Sequence, residues 1–192
     1  MKNLAIIITA ALAFATAASS AMADGTNYYG AVDIGQTKAK DACTDNPLGV
    51  VGCEDNATAF RFAGGYQFGP MWGAEVSYGA YGKASMGSLG GISADWEVSG
   101  FQVSGTGTFP LDDAFSLIAK LGIASTELKL SGGGGGLSAT STNLAFGFGA
   151  QYDFTQSVSV RAQYEDFGKV GDDNTTGTSN VSLLSAGVVF KF

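Results

Sequence analysis

The chain has 192 residues, with 10 Lys+Arg against 17 Asp+Glu, a formal net charge of -7 and a sequence pI near 4.3. That length suits one domain, and so acidic a chain is not expected to bind nucleic acid, which requires basic patches. The sequence holds no His, which removes Ser-His and His-Asp machinery, so neither an enzyme nor a cofactor or metal site is expected.

The amino terminus comes first. Met1-Lys2-Asn3 is a short basic start, and Leu4 to Ala18 is an apolar run rich in Ala and Ile. Ala21-Met22-Ala23 is a small-x-small site, so cleavage is expected between Ala23 and Asp24. This divides the chain into a signal peptide, 1–23, and a mature domain, 24–192. Charged residues make up only 14% of the sequence, against about 25% in soluble domains. Yet no mature segment reaches the ~18 consecutive apolar residues of a membrane helix. A membrane protein without such helices must be a closed barrel, because open sheet edges cannot face lipid. The 29 Gly, 13 Phe and 7 Tyr also favour strands and turns.

Alternation with a period of two marks eight candidate strands. The first, about 27–37, sets Tyr28, Gly30, Val32 and Ile34 against Tyr29, Ala31, Asp33 and Gly35. The second, about 58–68, sets Phe60, Phe62 and Tyr66 against Ala59, Arg61 and Gln67, and Gly69-Pro70 follows as a turn. The third, about 72–82, sets Trp72, Val76 and Tyr78 against Glu75, Ser77 and Tyr81. The fourth, about 94–109, ends at Pro110-Leu111-Asp112-Asp113. The fifth, about 114–130, sets Leu117, Leu121 and Ile123 against Ser116, Ile118 and Lys120. The sixth, about 140–154, sets Leu144, Phe146 and Phe148 against Asn143, Ala145 and Gly147. The seventh, about 157–168, sets Val158, Val160 and Tyr164 against Ser159, Arg161 and Glu165. The last runs to Phe192, with Leu184, Ala186, Val188 and Phe190 opposite Leu183, Ser185, Gly187, Val189 and Lys191.

The connections alternate in length. Tight turns follow the second, fourth and sixth strands, while 38–57, 83–93, 131–139 and 169–178 read as long polar loops. Short turns on one side and long loops on the other are the layout of an outer-membrane barrel, with the long loops outside the cell. Gly132–Gly136 reads as a flexible outer loop; no Lys-Ser or Lys-Thr follows it, so it is not a phosphate cradle. Cys43 and Cys53 both fall in the first long loop, and in an oxidising compartment they are expected to form a disulfide.

The fold class is therefore all-β: an eight-stranded, antiparallel, up-and-down transmembrane β-barrel in the cell outer membrane. A water-soluble barrel would invert the faces, with aromatics inside and charges in water. The signal peptide and the loop asymmetry favour the membrane form. Inward alternation then collects Asp33, Arg61, Glu75, Lys120, Arg161 and Glu165 in the lumen. Charges so enclosed should pair, since an unpaired buried charge costs several kcal/mol. They are expected to form a salt-bridged plug, because eight strands leave little more room than side chains need. The alternative is a gate whose pairs exchange, making a narrow porin-like channel for ions or small solutes.

Two stretches resemble a known family. Gly64-Gly65-Tyr66-Gln67-Phe68 followed by Trp72 to Tyr78 looks like the second hairpin of the OmpA-type transmembrane domain. Ser182 to Phe192 resembles that family's closing strand, with its Ser-x-Gly-Val-x-aromatic-basic-Phe pattern. An aromatic end is a feature of outer-membrane barrels generally, so Phe190 and Phe192 are expected to act as the signal for the barrel-assembly machinery. The resemblance implies a structural barrel whose surface loops serve contact or adhesion. It implies outer-membrane lipid and lipopolysaccharide as surroundings, a host or phage ligand at the loops, and a monomer. It covers the barrel alone, so cell-wall binding is not expected of this sequence.

Overall fold

A computed structural model describes residues 27–40, 56–89, 92–132, 135–172 and 177–192. The Ala23–Asp24 junction, Cys43 and Cys53 lie outside these described residues. The strands are β1 (Tyr28–Lys40), β2 (Asn56–Gln67), β3 (Trp72–Leu89), β4 (Ile92–Pro110), β5 (Phe115–Gly132), β6 (Gly135–Asp153), β7 (Val158–Asp172) and β8 (Gly177–Lys191). They close into one barrel in sequence order. Each pairs antiparallel with its neighbour, and β1 closes the ring on β8, with Asp33 opposite Gly187. Closure leaves no unpaired edge to meet lipid.

The tight turns are held by local chemistry. The Asp112 carboxylate accepts hydrogen bonds from the backbone N–H of Ala114 at 2.8 Å and of Phe115 at 2.6 Å. The Thr155 hydroxyl oxygen does the same for Ser157 at 3.2 Å and Val158 at 3.0 Å. Short polar side chains of this kind satisfy turn amides that strands cannot.

The strands are longer than alternation alone suggests. Most of 83–93, 131–139 and 169–178, expected as loops, is paired strand that continues the hairpins outward. Gly132, Gly135 and Gly136 of the glycine tract are also in register with their partners. Backbone pairing does not require an apolar face, so polar strand tips read as loops in the sequence. Three interruptions also break the alternation. Register shifts fall between Ser85 and Ser88, between Ala80 and Gly82 and between Asp166 and Lys169, the last two with Gly82 at φ 108° and Gly168 at φ 69°. Both glycines lie where L side chains are strained, so glycine permits those two bulges.

The two faces are unmistakably sorted. Leu184 is 64% and Phe148 61% exposed on the outside, whereas Arg61 is 1% and Lys120 5% exposed within. A water-soluble barrel requires the reverse. Contacting aromatic pairs sit beside the tight turns, among them Trp72 with Phe109, and Tyr152 with Phe154. Such rings anchor a barrel at headgroup level.

Candidate functional site

The six charged residues picked out by alternation meet in the lumen. Barrel register explains how. Arg61 of β2 stands opposite Asp33 of β1, which stands opposite Gly187 of β8, which stands opposite Arg161 of β7. A second row carries Lys120 of β5, Gly147 of β6 and Glu165 of β7. Glu75 of β3 lies between Gly65 and Ser104.

These side chains close into a ring of alternating sign. Arg61 Nη2 lies 2.9 Å from Asp33 Oδ2, and Arg161 Nη2 lies 2.7 Å from the same oxygen. Arg161 Nη1 lies 2.7 Å from Glu75 Oε2, and Lys120 Nζ 2.6 Å from Glu75 Oε1. Lys120 Nζ also lies 3.1 Å from Glu165 Oε1, and Glu165 returns the ring to Arg61. Every member therefore has a counter-charge on each side. The attraction is strong because all six are buried, and the desolvation penalty is offset only because no partner is missing.

Other residues shape the ring, and sequence reasoning gave them no role. The Tyr29 hydroxyl donates to Glu75 Oε2 at 3.0 Å. Its ring lies over Gly65, the residue directly opposite on β2, where a Cβ would occupy the same space. Gly187 and Gly147 each sit on the strand between two ring members. A Cβ at Gly187 would come within 2.8 Å of Asp33 Cα, and one at Gly147 within 2.6 Å of Glu165 Cγ. These glycines let ion pairs reach across an intervening strand. Their only sequence signal is a glycine on the inward set, which many barrel glycines share.

The lumen differs on the two sides of the ring. Towards the tight turns lies a cavity of about 430 Å³, lined by Tyr29, Gln67, Thr106, Ser116 and Gln151 and reaching Glu75, Lys120 and Arg161. At its rim, Lys191 Nζ pairs with Asp153 Oδ2 at 2.7 Å. Towards the long hairpins the interior turns apolar. Tyr81, Val98, Phe167, Val181 and Leu183 form one buried cluster, with Leu128 packed against it. The rings of Tyr81 and Phe167 are 4.8 Å apart. An interior filled by paired charge was the expectation; the outer half is instead mainly apolar, with Thr37 buried between Ala57 and Leu183. Alternation places these residues inside but does not show that they converge at one level.

The family described as outer membrane protein beta-barrel domain matches residues 7–192. The chain belongs to that family. Its likeness to outer membrane protein A of Shigella flexneri is 32% identity over 206 residues, covering 100% of this chain and 56% of that protein. Outer membrane protein A of Salmonella typhi is 31% identical over 202 residues, with 100% and 56% covered. The chain thus spans little more than half the length of these relatives. Among solved structures, Neisserial surface protein A gives a TM-score of 0.63 at 20% identity, covering 87% of this chain and 98% of that one. Ail, the attachment invasion locus protein of Yersinia pestis, in complex with the heparin analogue sucrose octasulfate, gives 0.58 at 20% identity, with 86% and 99% covered. At such identities these structures speak for the fold. Family membership places the chain among structural, non-enzymatic barrels of the outer membrane.

Proposed function

We propose that this barrel is a structural outer-membrane protein that presents its outer hairpins for contact with a host surface, a phage or neighbouring lipopolysaccharide. The observation that carries this reading is the closed ionic ring, which ties β1, β2, β3, β5 and β7 together and fills the barrel's middle. A barrel so locked is a rigid stand for the hairpins that extend from β3–β4, β5–β6 and β7–β8. The outer ends carry charges of both signs in sequence, Asp95, Glu97, Glu127, Asp166 and Asp172 beside Lys83, Lys129 and Lys169, and Lys129 pairs with Glu127 at 3.2 Å.

The same reading includes export with cleavage between Ala23 and Asp24, recognition of Phe190 and Phe192 by the barrel-assembly machinery, a monomeric state and a disulfide between Cys43 and Cys53. Adhesion of cells displaying the full chain, compared with cells displaying a chain whose tips 88–93 and 172–177 are replaced by short turns, tests it. Equal adhesion would remove the contact function. The cavity below the ring supports a second reading, a narrow channel, which conductance in planar bilayers tests directly.

A further inference from the structure

The lumen contains two successive obstacles of opposite chemistry. The ionic ring borders the cavity on the tight-turn side, and its charges reach that cavity through Glu75, Lys120 and Arg161. Beyond it, on the hairpin side, comes the apolar collar of Tyr81, Phe167, Leu183, Val98 and Val181. Position follows from register. Tyr81 is two residues outward of Gly79, which faces Arg61, and Phe167 is two residues outward of Glu165. Glycine makes the collar compact: a Cβ at Gly79 would lie 2.5 Å from the Tyr81 ring, so the ring folds over that position. Tyr81 and Phe167 are 1% and 0% exposed, so little space is left between them and their neighbours.

We propose that the collar, and not the ionic ring, is the barrier to ions in this barrel. An ion that reaches the ring meets counter-charges, and the pairs around it can exchange partners. An ion that reaches the collar meets hydrocarbon, two aromatic rings and the hydroxyls of Tyr81 and Thr37, with no charge to replace its hydration shell. Narrow apolar constrictions of this kind stop ions by excluding water. Opening the ring alone therefore leaves the barrel closed. This goes beyond the contact function, and a conductance result leaves that function untouched.

The experiment compares the full exported chain, refolded in detergent and inserted in planar bilayers, in four forms. They are wild type, a ring variant carrying Glu75→Gln and Lys120→Met, a collar variant carrying Phe167→Ala and Leu183→Ala, and Phe167→Gln alone. The last fills more of the site than Ala does while placing an amide in the collar, so it serves if the double variant fails to fold. Migration on unboiled gels shows which forms are folded barrels. Wild type and the ring variant should be near-silent, and folded collar variants should show discrete openings with conductance raised by about tenfold or more. An open wild type, a ring variant that conducts with its collar intact, or folded collar variants that stay silent would each overturn the proposal.

Discussion

Asp33 and Arg161 stand on β1 and β7, which do not pair, and they meet across β8. Arg161 Nε donates to Asp33 Oδ1 at 2.9 Å and Nη2 donates to Oδ2 at 2.7 Å, a two-point grip. The residue between them on β8 is Gly187. The grip passes over a position with no side chain, so the ion pair and the glycine are one structural unit.

Gly187→Ala should therefore weaken the ring although it removes no charge. Overpacking of this kind costs about 1–3 kcal/mol. Asp33→Asn, which takes one of its two counter-charges from each arginine, should cost more, about 3–5 kcal/mol. Urea unfolding of the refolded barrel in micelles ranks the two. A Gly187→Ala protein as stable as wild type would show that the row has slack the geometry does not reveal.

Glu75 and Lys120 should be coupled. Each single change, Glu75→Gln or Lys120→Met, is expected to cost about 3–5 kcal/mol, because a buried charge loses a partner. The double variant should lose less than the sum, by roughly 0.5–3 kcal/mol. Tyr29→Phe should cost about 1.5–3 kcal/mol through the lost hydrogen bond to the Glu75 carboxylate. Strict additivity of the Glu75 and Lys120 changes would contradict direct pairing.

The outward face predicts a different sensitivity. Leu121 is 59% exposed next to buried Lys120, at mid-height of the barrel. Leu121→Arg should cost about 2–4 kcal/mol in lipid, as a cation on the lipid face near the midplane does. The wild-type protein should run faster on an unboiled gel than after boiling, and the variant should lose that shift at lower denaturant. Recovery of wild type in a detergent-free periplasmic extract would contradict insertion.

Cys43→Ser should leave the barrel folded. The two cysteines fall between β1 and β2 in sequence, outside the paired register that ends at Lys38 and Asn56. Thiol-blocking mass spectrometry should find no free thiol in the exported wild type. Loss of the whole fold on Cys43→Ser would rule out a local role for the bond.

Much of this barrel is legible in a single pass along the sequence. The eight strands, the three tight turns and the inward position of Asp33, Arg61, Glu75, Lys120, Arg161 and Glu165 all follow from a period of two, because each strand backbone sends successive side chains to opposite faces. The ends of the strands do not, since Ser-, Thr- and Gly-rich tips pair through their backbones and carry no apolar alternation. The bulges at Gly82 and Gly168 erase the alternation further. Which charges pair is likewise a property of closure. Asp33 and Arg161 lie 128 positions apart and become neighbours only when β8 returns beside β1. Height in the lumen is decided the same way. Alternation puts Tyr81, Phe167 and Leu183 inside, but only the stagger of the strands lifts them to one level above the charges. Local stereochemistry determined the face of each side chain. Its neighbours were decided by long-range register, which the period of two does not contain.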